Sequence, residues 1–281
     1  MPKKVAKKTT KKAAKANTSS SHKKITSTYD SKSIAPVKTQ DQKEPETELD
    51  KVISQIPDDQ KEKLQQIRES LEKFKAKIVP RLEGYVMGIS LLPPSKEEDE
   101  KENVNVLVLI DDQDSRRIAK EELQEKVQKI ADDIAKPIDE HLAVQCILLT
   151  ELWQQCYDAK YELLQMIAMG ATVYDTGMLA AIKISEVHKT MVLKKFEKYI
   201  VSYVLAGSLT QGKATPESDV DVFIVIDDTD VKKMTRVELR DKLRAIIIGM
   251  GAEAGQMTGI QNKINIQVYI LTDFWENIKD A

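Results

Sequence analysis

Tyr203-Val204-Leu205-Ala206-Gly207-Ser208-Leu209 runs on through Thr210-Gln211-Gly212-Lys213 to Asp219-Val220-Asp221-Val222, and the run closes at Ile226-Asp227-Asp228. An apolar stretch ends on a small-residue turn, and the chain then enters a second apolar stretch with acids at alternate positions. That alternation predicts a strand with Asp219 and Asp221 on one face and Val220 and Val222 turned to a core. Laid against the rest of the chain, the skeleton occurs twice. Tyr85-Val86-Met87-Gly88-Ile89-Ser90-Leu91 aligns with Tyr203 to Leu209, and Asn103-Val104-Asn105-Val106, running on to Ile110-Asp111-Asp112, aligns with Asp219 to Asp228.

A third block keeps the same order. Val144-Gln145-Cys146-Ile147-Leu148-Leu149-Thr150-Glu151-Leu152-Trp153 aligns with Ile266-Gln267-Val268-Tyr269-Ile270-Leu271-Thr272-Asp273-Phe274-Trp275. Before it, each copy has an amphipathic helix, carried by Leu123, Val127, Ile130 and Ile134 in one and by Leu239, Leu243 and Ile246 in the other. Leu64, Ile67, Leu71, Phe74 and Ile78 add a helix from Asp58 to Pro80. Each copy reads helix, strand, turn, strand, helix, strand, helix. The expected fold class is α/β (α+β), with two tandem domains over 58–185 and 186–281, each a small mixed sheet with helices on one face. The first copy continues to Ala171-Thr172-Val173-Tyr174-Asp175, which reads as one more strand. The second stops at Ala281, which reads either as a truncated chain or as a module that ends early.

The 281 residues carry a net charge of −2, and 41% are hydrophobic, enough for packed cores. Nine lysines, from Lys3 to Lys24, precede the first acid, Asp30; without them about −11 remains, too acidic for a general nucleic-acid binder. Residues 1–57 read as a disordered basic tail and linker, able to contact nucleic acid weakly through phosphates. No apolar run suits a membrane span, and a cytoplasmic location is expected. Cys146 and Cys156 lack the partners of a disulfide framework or a zinc site and read as a strand cysteine and a helix cysteine.

Glycine in the Gly207 to Lys213 turn lets backbone N–H groups approach phosphate oxygens, and the Ser208 hydroxyl adds a donor. Two carboxylates side by side repel unless a hard cation bridges them to a triphosphate. Gly207-Ser208 followed by Asp219-Val220-Asp221 resembles the signature of the DNA polymerase beta-like nucleotidyltransferase superfamily. The local text from Ala206 to Phe223 is most similar to the small members called minimal nucleotidyltransferases, and the resemblance covers roughly 186–281. It implies transfer of a nucleoside monophosphate from a triphosphate, ATP being expected, to a hydroxyl acceptor on a protein, RNA or small molecule, with release of pyrophosphate. It also implies Mg2+ or Mn2+ on Asp219 and Asp221, and phosphates against Gly207, Ser208, Gly212 and Lys213. The family carries a third carboxylate on a later strand; in Lys263-Ile264-Asn265-Ile266-Gln267-Val268 that position is Asn265, which has no charge and is no useful base.

In the first copy the acid pair becomes Asn103 and Asn105, the turn aligns with Gly88-Ile89-Ser90, and the third position falls at Ala143, so this copy is expected to be a catalytically dead relative of the second. Asp227 and Asp228 read as caps, because Asp111 and Asp112 repeat them. His141 and His188 read as surface residues, and Trp153 and Trp275 as core packing. The alternative function is a nucleotide-binding regulatory or scaffold protein with weak or no turnover, which Asn265 favours.

Overall fold

The structure, a computed structural model, describes residues 58–94, 103–113, 115, 118–229 and 233–279. The tail and linker expected over 1–57 lie outside them. Among the described residues run α1 (Asp58–Arg81), β1 (Val86–Leu91), β2 (Val104–Ile110), α2 (Lys120–Ala135), β3 (Leu142–Leu148), α3 (Leu149–Tyr157), α4 (Glu162–Met169) and β4 (Ala171–Asp175). Then come α5 (Met178–Phe196), β5 (Ile200–Ala206), β6 (Val220–Ile226), α6 (Arg236–Thr258), β7 (Ile264–Ile270) and α7 (Leu271–Lys279). None of these helices is long and apolar enough to cross a membrane.

The strands form two mixed sheets, ordered β3-β2-β1-β4 and β5-β6-β7. In the first, β1 runs antiparallel to β2 and β4, while β2 and β3 are parallel. The second repeats this with β5 antiparallel to β6 and β6 parallel to β7. Both parallel pairs are joined through a helix, α2 or α6, as a parallel crossover requires.

Leu71, Phe74 and Ile78 bury one stripe of α1 against Val106, Val108 and Ile110 of β2, and Val127, Ala131 and Ala135 of α2 complete that core. On the other face of the first sheet, Leu107, Leu109 and Ile147 enter a larger core with Leu163, Leu164 and Ile167 of α4 and with α5. That core continues through Val222, Ile224 and Ile226 of β6 to Ile247 and Ala254 of α6. Its centre is α5, which buries residues all round, as a helix between two layers must. Asp175, at the end of β4, accepts from the N–H groups of Gly177, Leu179 and Ala180 and so fixes the start of α5. A division at 185/186 falls inside this helix.

Equivalent hydrogen bonds set the register of the two sheets. Asp111 N donates to Tyr85 O and Asp227 N to Tyr199 O, each at 2.8 Å. Tyr85 therefore corresponds to Tyr199, not Tyr203, and Gly88-Ile89-Ser90 lies within β1, not on a turn. The sequence alignment of this block is four residues out, since both alignments start on a tyrosine and an even shift leaves side-chain alternation intact. The other blocks keep their registers: Asn105 pairs with Ala143 as Asp221 pairs with Asn265.

Two further expectations change. His188 is fully buried, not on the surface: its Nε2 donates to Ile247 O at 3.1 Å and its Nδ1 lies 2.9 Å from Tyr203 Oη. Burial holds its pKa below the usual imidazole value. Trp153 packs partly buried against the core, whereas Trp275 is 54% exposed. The face that α4 and α5 cover in the first sheet has no such cover over Phe223, Tyr269, Phe274 and Trp275 among the described residues.

Candidate active site

Three neighbouring strands bring the candidate residues together. Asp221 lies on β6 opposite Ala206 of β5 on one side and Asn265 of β7 on the other. Asp219 immediately precedes β6 and is exposed. Asn265 is exposed too, and its Nδ2 donates to Asp221 Oδ1 at 2.8 Å. The third position thus stands beside the acid pair, filled by an amide that steadies the carboxylate without adding charge.

Gly207 ends β5 with φ +70°, and a Cβ there would lie 2.1 Å from Asp221 Oδ2. Both its backbone and its space therefore demand glycine. The turn bonds to itself: Lys213 N donates to Ser208 O at 2.8 Å, and Thr210 Oγ1 and Gln211 N donate to Gly207 O. The amide N–H groups of Ser208, Leu209 and Thr210 make no hydrogen bond to a described residue. Three successive backbone donors without a partner among the described residues thus lie on the turn that meets Asp221. Lys213 is exposed and forms no ion pair among the described residues. Gly212, with φ +63°, has a packing role, since a Cβ would lie 2.7 Å from Leu149 Cδ2 and 2.8 Å from Gln113 Nε2.

Residues that sequence reading passed over support this loop. Asn262 is buried, and its Nδ2 lies within hydrogen-bond distance of the carbonyls of Thr215, Pro216 and Ser218. Thr215 N donates to Ser218 Oγ, and Ser218 N donates to Thr215 O. Gly177 presses on the same segment, its absent Cβ standing 2.3 Å from the Thr215 carbonyl carbon. The segment leading to Asp219 is therefore clamped from the residues just before β7 and from the start of α5. No local pattern announces Asn262 or Gly177, because their partners lie far along the chain.

The acids after β6 hold structure. Asp228 accepts from Thr272 N and Oγ1 at the start of α7, as Asp112 does from Thr150 at the start of α3. Asp227 accepts from Thr229 N, and that hydrogen bond holds its carboxyl below the usual range.

Among the described residues no group of three or more His, Cys, Asp or Glu is placed to hold a metal ion. The acid pair suits instead a hard cation shared with phosphate oxygens, for which one or two carboxylates suffice. In the first sheet the corresponding positions, Asn103, Asn105 and Ala143, offer no carboxylate.

Residues 187–258 match the family model of a nucleotidyltransferase domain. The match takes in the latter part of α5, the Gly207-Ser208 turn, the acid pair and α6, and it ends before β7 with Asn265. The chain thus carries a nucleotidyltransferase domain of the class its sequence resembles, whose general reaction is transfer of a nucleoside monophosphate from a nucleotide substrate. No curated protein matches the chain.

Proposed function

We propose that the chain transfers a nucleoside monophosphate from a nucleoside triphosphate, ATP being expected, to a hydroxyl acceptor. The observation that carries this reading is the close approach of the Gly207 turn to Asp221, beside amide donors that have no partner among the described residues. Asp219 and Asp221 would hold Mg2+ or Mn2+, and Gly207, Ser208 and Lys213 would receive the β and γ phosphates. When bound, the cation supplies charge neutralisation and Lewis-acid polarisation of the phosphates. The acceptor oxygen forms a bond to the α phosphorus, the bond from that phosphorus to the bridging oxygen breaks, and pyrophosphate leaves with the electron pair. The acceptor proton passes to solvent, since Asn265 cannot take it. The protein's own contribution is positioning and preorganised donors.

The chain divides on this reading into a non-catalytic half, 58–185, and a catalytic half, 186–281. Asn265 also favours a second reading, in which the site binds a metal nucleotide and regulates or scaffolds without turnover. Pyrophosphate release from ATP with magnesium separates them. Release by the wild type that is lost in Asp219→Ala supports the enzyme; nucleotide binding without release, in the presence of varied hydroxyl acceptors, supports the regulator.

A further inference from the structure

The two sheets differ at one edge. In the first, Gly88, Ile89, Ser90 and Leu91 of β1 pair with Asp175, Tyr174, Thr172 and Ala171 of β4. By the shared register, their counterparts on β5 are Ser202, Tyr203, Val204 and Leu205. No described strand pairs with that edge. The same four residues instead line a cleft of about 610 Å³, whose far wall is Trp153 and Tyr157 of α3 and Glu186 of α5.

Polar groups in this cleft lack partners. Glu186 is only 5% exposed, and among the described residues its Oε1 accepts no hydrogen bond. Lys189 Nζ, 2.6 Å from Oε2, balances its charge, though outside hydrogen-bond geometry. Trp153 Nε1 is a buried donor with no acceptor among the described residues. Leaving such groups unpaired is unfavourable, so the cleft calls for a ligand that brings one donor and one acceptor without net charge. A peptide group brings both. Four residues of strand span about 13 Å, in keeping with an edge that runs from Ser202 to Leu205.

We propose that this cleft binds an extended peptide as the fourth strand of the second sheet, antiparallel to β5 along Ser202–Leu205, with main-chain N–H and C=O groups meeting Glu186 and Trp153. Recognition by main-chain pairing sets affinity, and the side chains alternate between Leu164 and the open side. The cleft adjoins the phosphate turn at Thr210, but the inference does not depend on catalysis.

The test uses the full chain carrying Trp275→Phe, which leaves Trp153 as its one tryptophan. The probe is the peptide Gly-Ala-Thr-Val-Tyr-Asp-Thr, the chain's own β4 segment, with an analogue N-methylated at alternate amides. A saturable change in Trp153 emission, weakened at least tenfold for the analogue, is expected. In the unmutated chain the same peptide should slow amide exchange at Ser202–Leu205 severalfold. Equal binding of the two peptides would overturn the proposal, as would absence of both the emission change and the slowed exchange.

Discussion

Asn265 donates to the very carboxylate whose charge the site needs, so the charge at this position is the variable with the plainest readout. Asn265→Asp supplies a third carboxylate beside Asp221 and is expected to raise magnesium-dependent pyrophosphate release by about tenfold or more, within the range of general-base contributions. An unchanged rate in a coupled pyrophosphate assay would remove Asn265 from the mechanism. His188 gives a pH prediction. Its folded pKa lies below the ordinary value of 6.5 because burial disfavours the cation. The stability that the neutral ring contributes is intact above about pH 6.5 and declines as the pH falls from there toward the folded value. Urea midpoints between about pH 7.5 and 5.5 should fall for the wild type and flatten for His188→Gln. At this scale the acid pair was legible because alternation on a strand is a local pattern. His188 was not, since its partners Tyr203 and Ile247 are brought to it by α6 and β5 packing on α5.

Among elements, the segment from Gly207 to Asp219 depends on its neighbours for shape. Asn262→Ala removes the donor that ties Thr215, Pro216 and Ser218 to the start of β7. It should cost about 1–3 kcal/mol in chemical denaturation and weaken nucleotide binding more than it slows turnover at saturation. Gly207→Ala should do greater harm, because a positive φ costs roughly 1–2 kcal/mol and the added carbon collides with Asp221. Folded protein that binds nucleotide with unchanged affinity after Gly207→Ala would contradict the close fit of turn and carboxylate. Helices and strands were legible from periodicity, down to β4 at Ala171–Asp175. The register of β1 was not, because a shift by an even number of residues preserves which side chains face the core. Hydrogen bonds from Asp111 and Asp227 decide it.

Across the molecule, the two sheets share a register but not a chemistry. α5 serves both, with Leu179 and Ile182 in a core that reaches Val222 and Ile224. From the side carrying Asn103, Asn105 and Ala143, Leu149 and Gln113 pack against the turn at Gly212. At Trp275 a repeated residue does not have a repeated environment; its counterpart is covered by helices that the second sheet lacks among the described residues. The central claim is that Asp219 and Asp221 hold a magnesium nucleotide against the Gly207 turn. Calorimetric titration of ATP into the full chain, with magnesium and with chelator, and again into Asp219→Ala/Asp221→Ala, tests it most directly. The account predicts binding that requires magnesium and disappears in the double variant; binding that survives the chelator and both substitutions would contradict it.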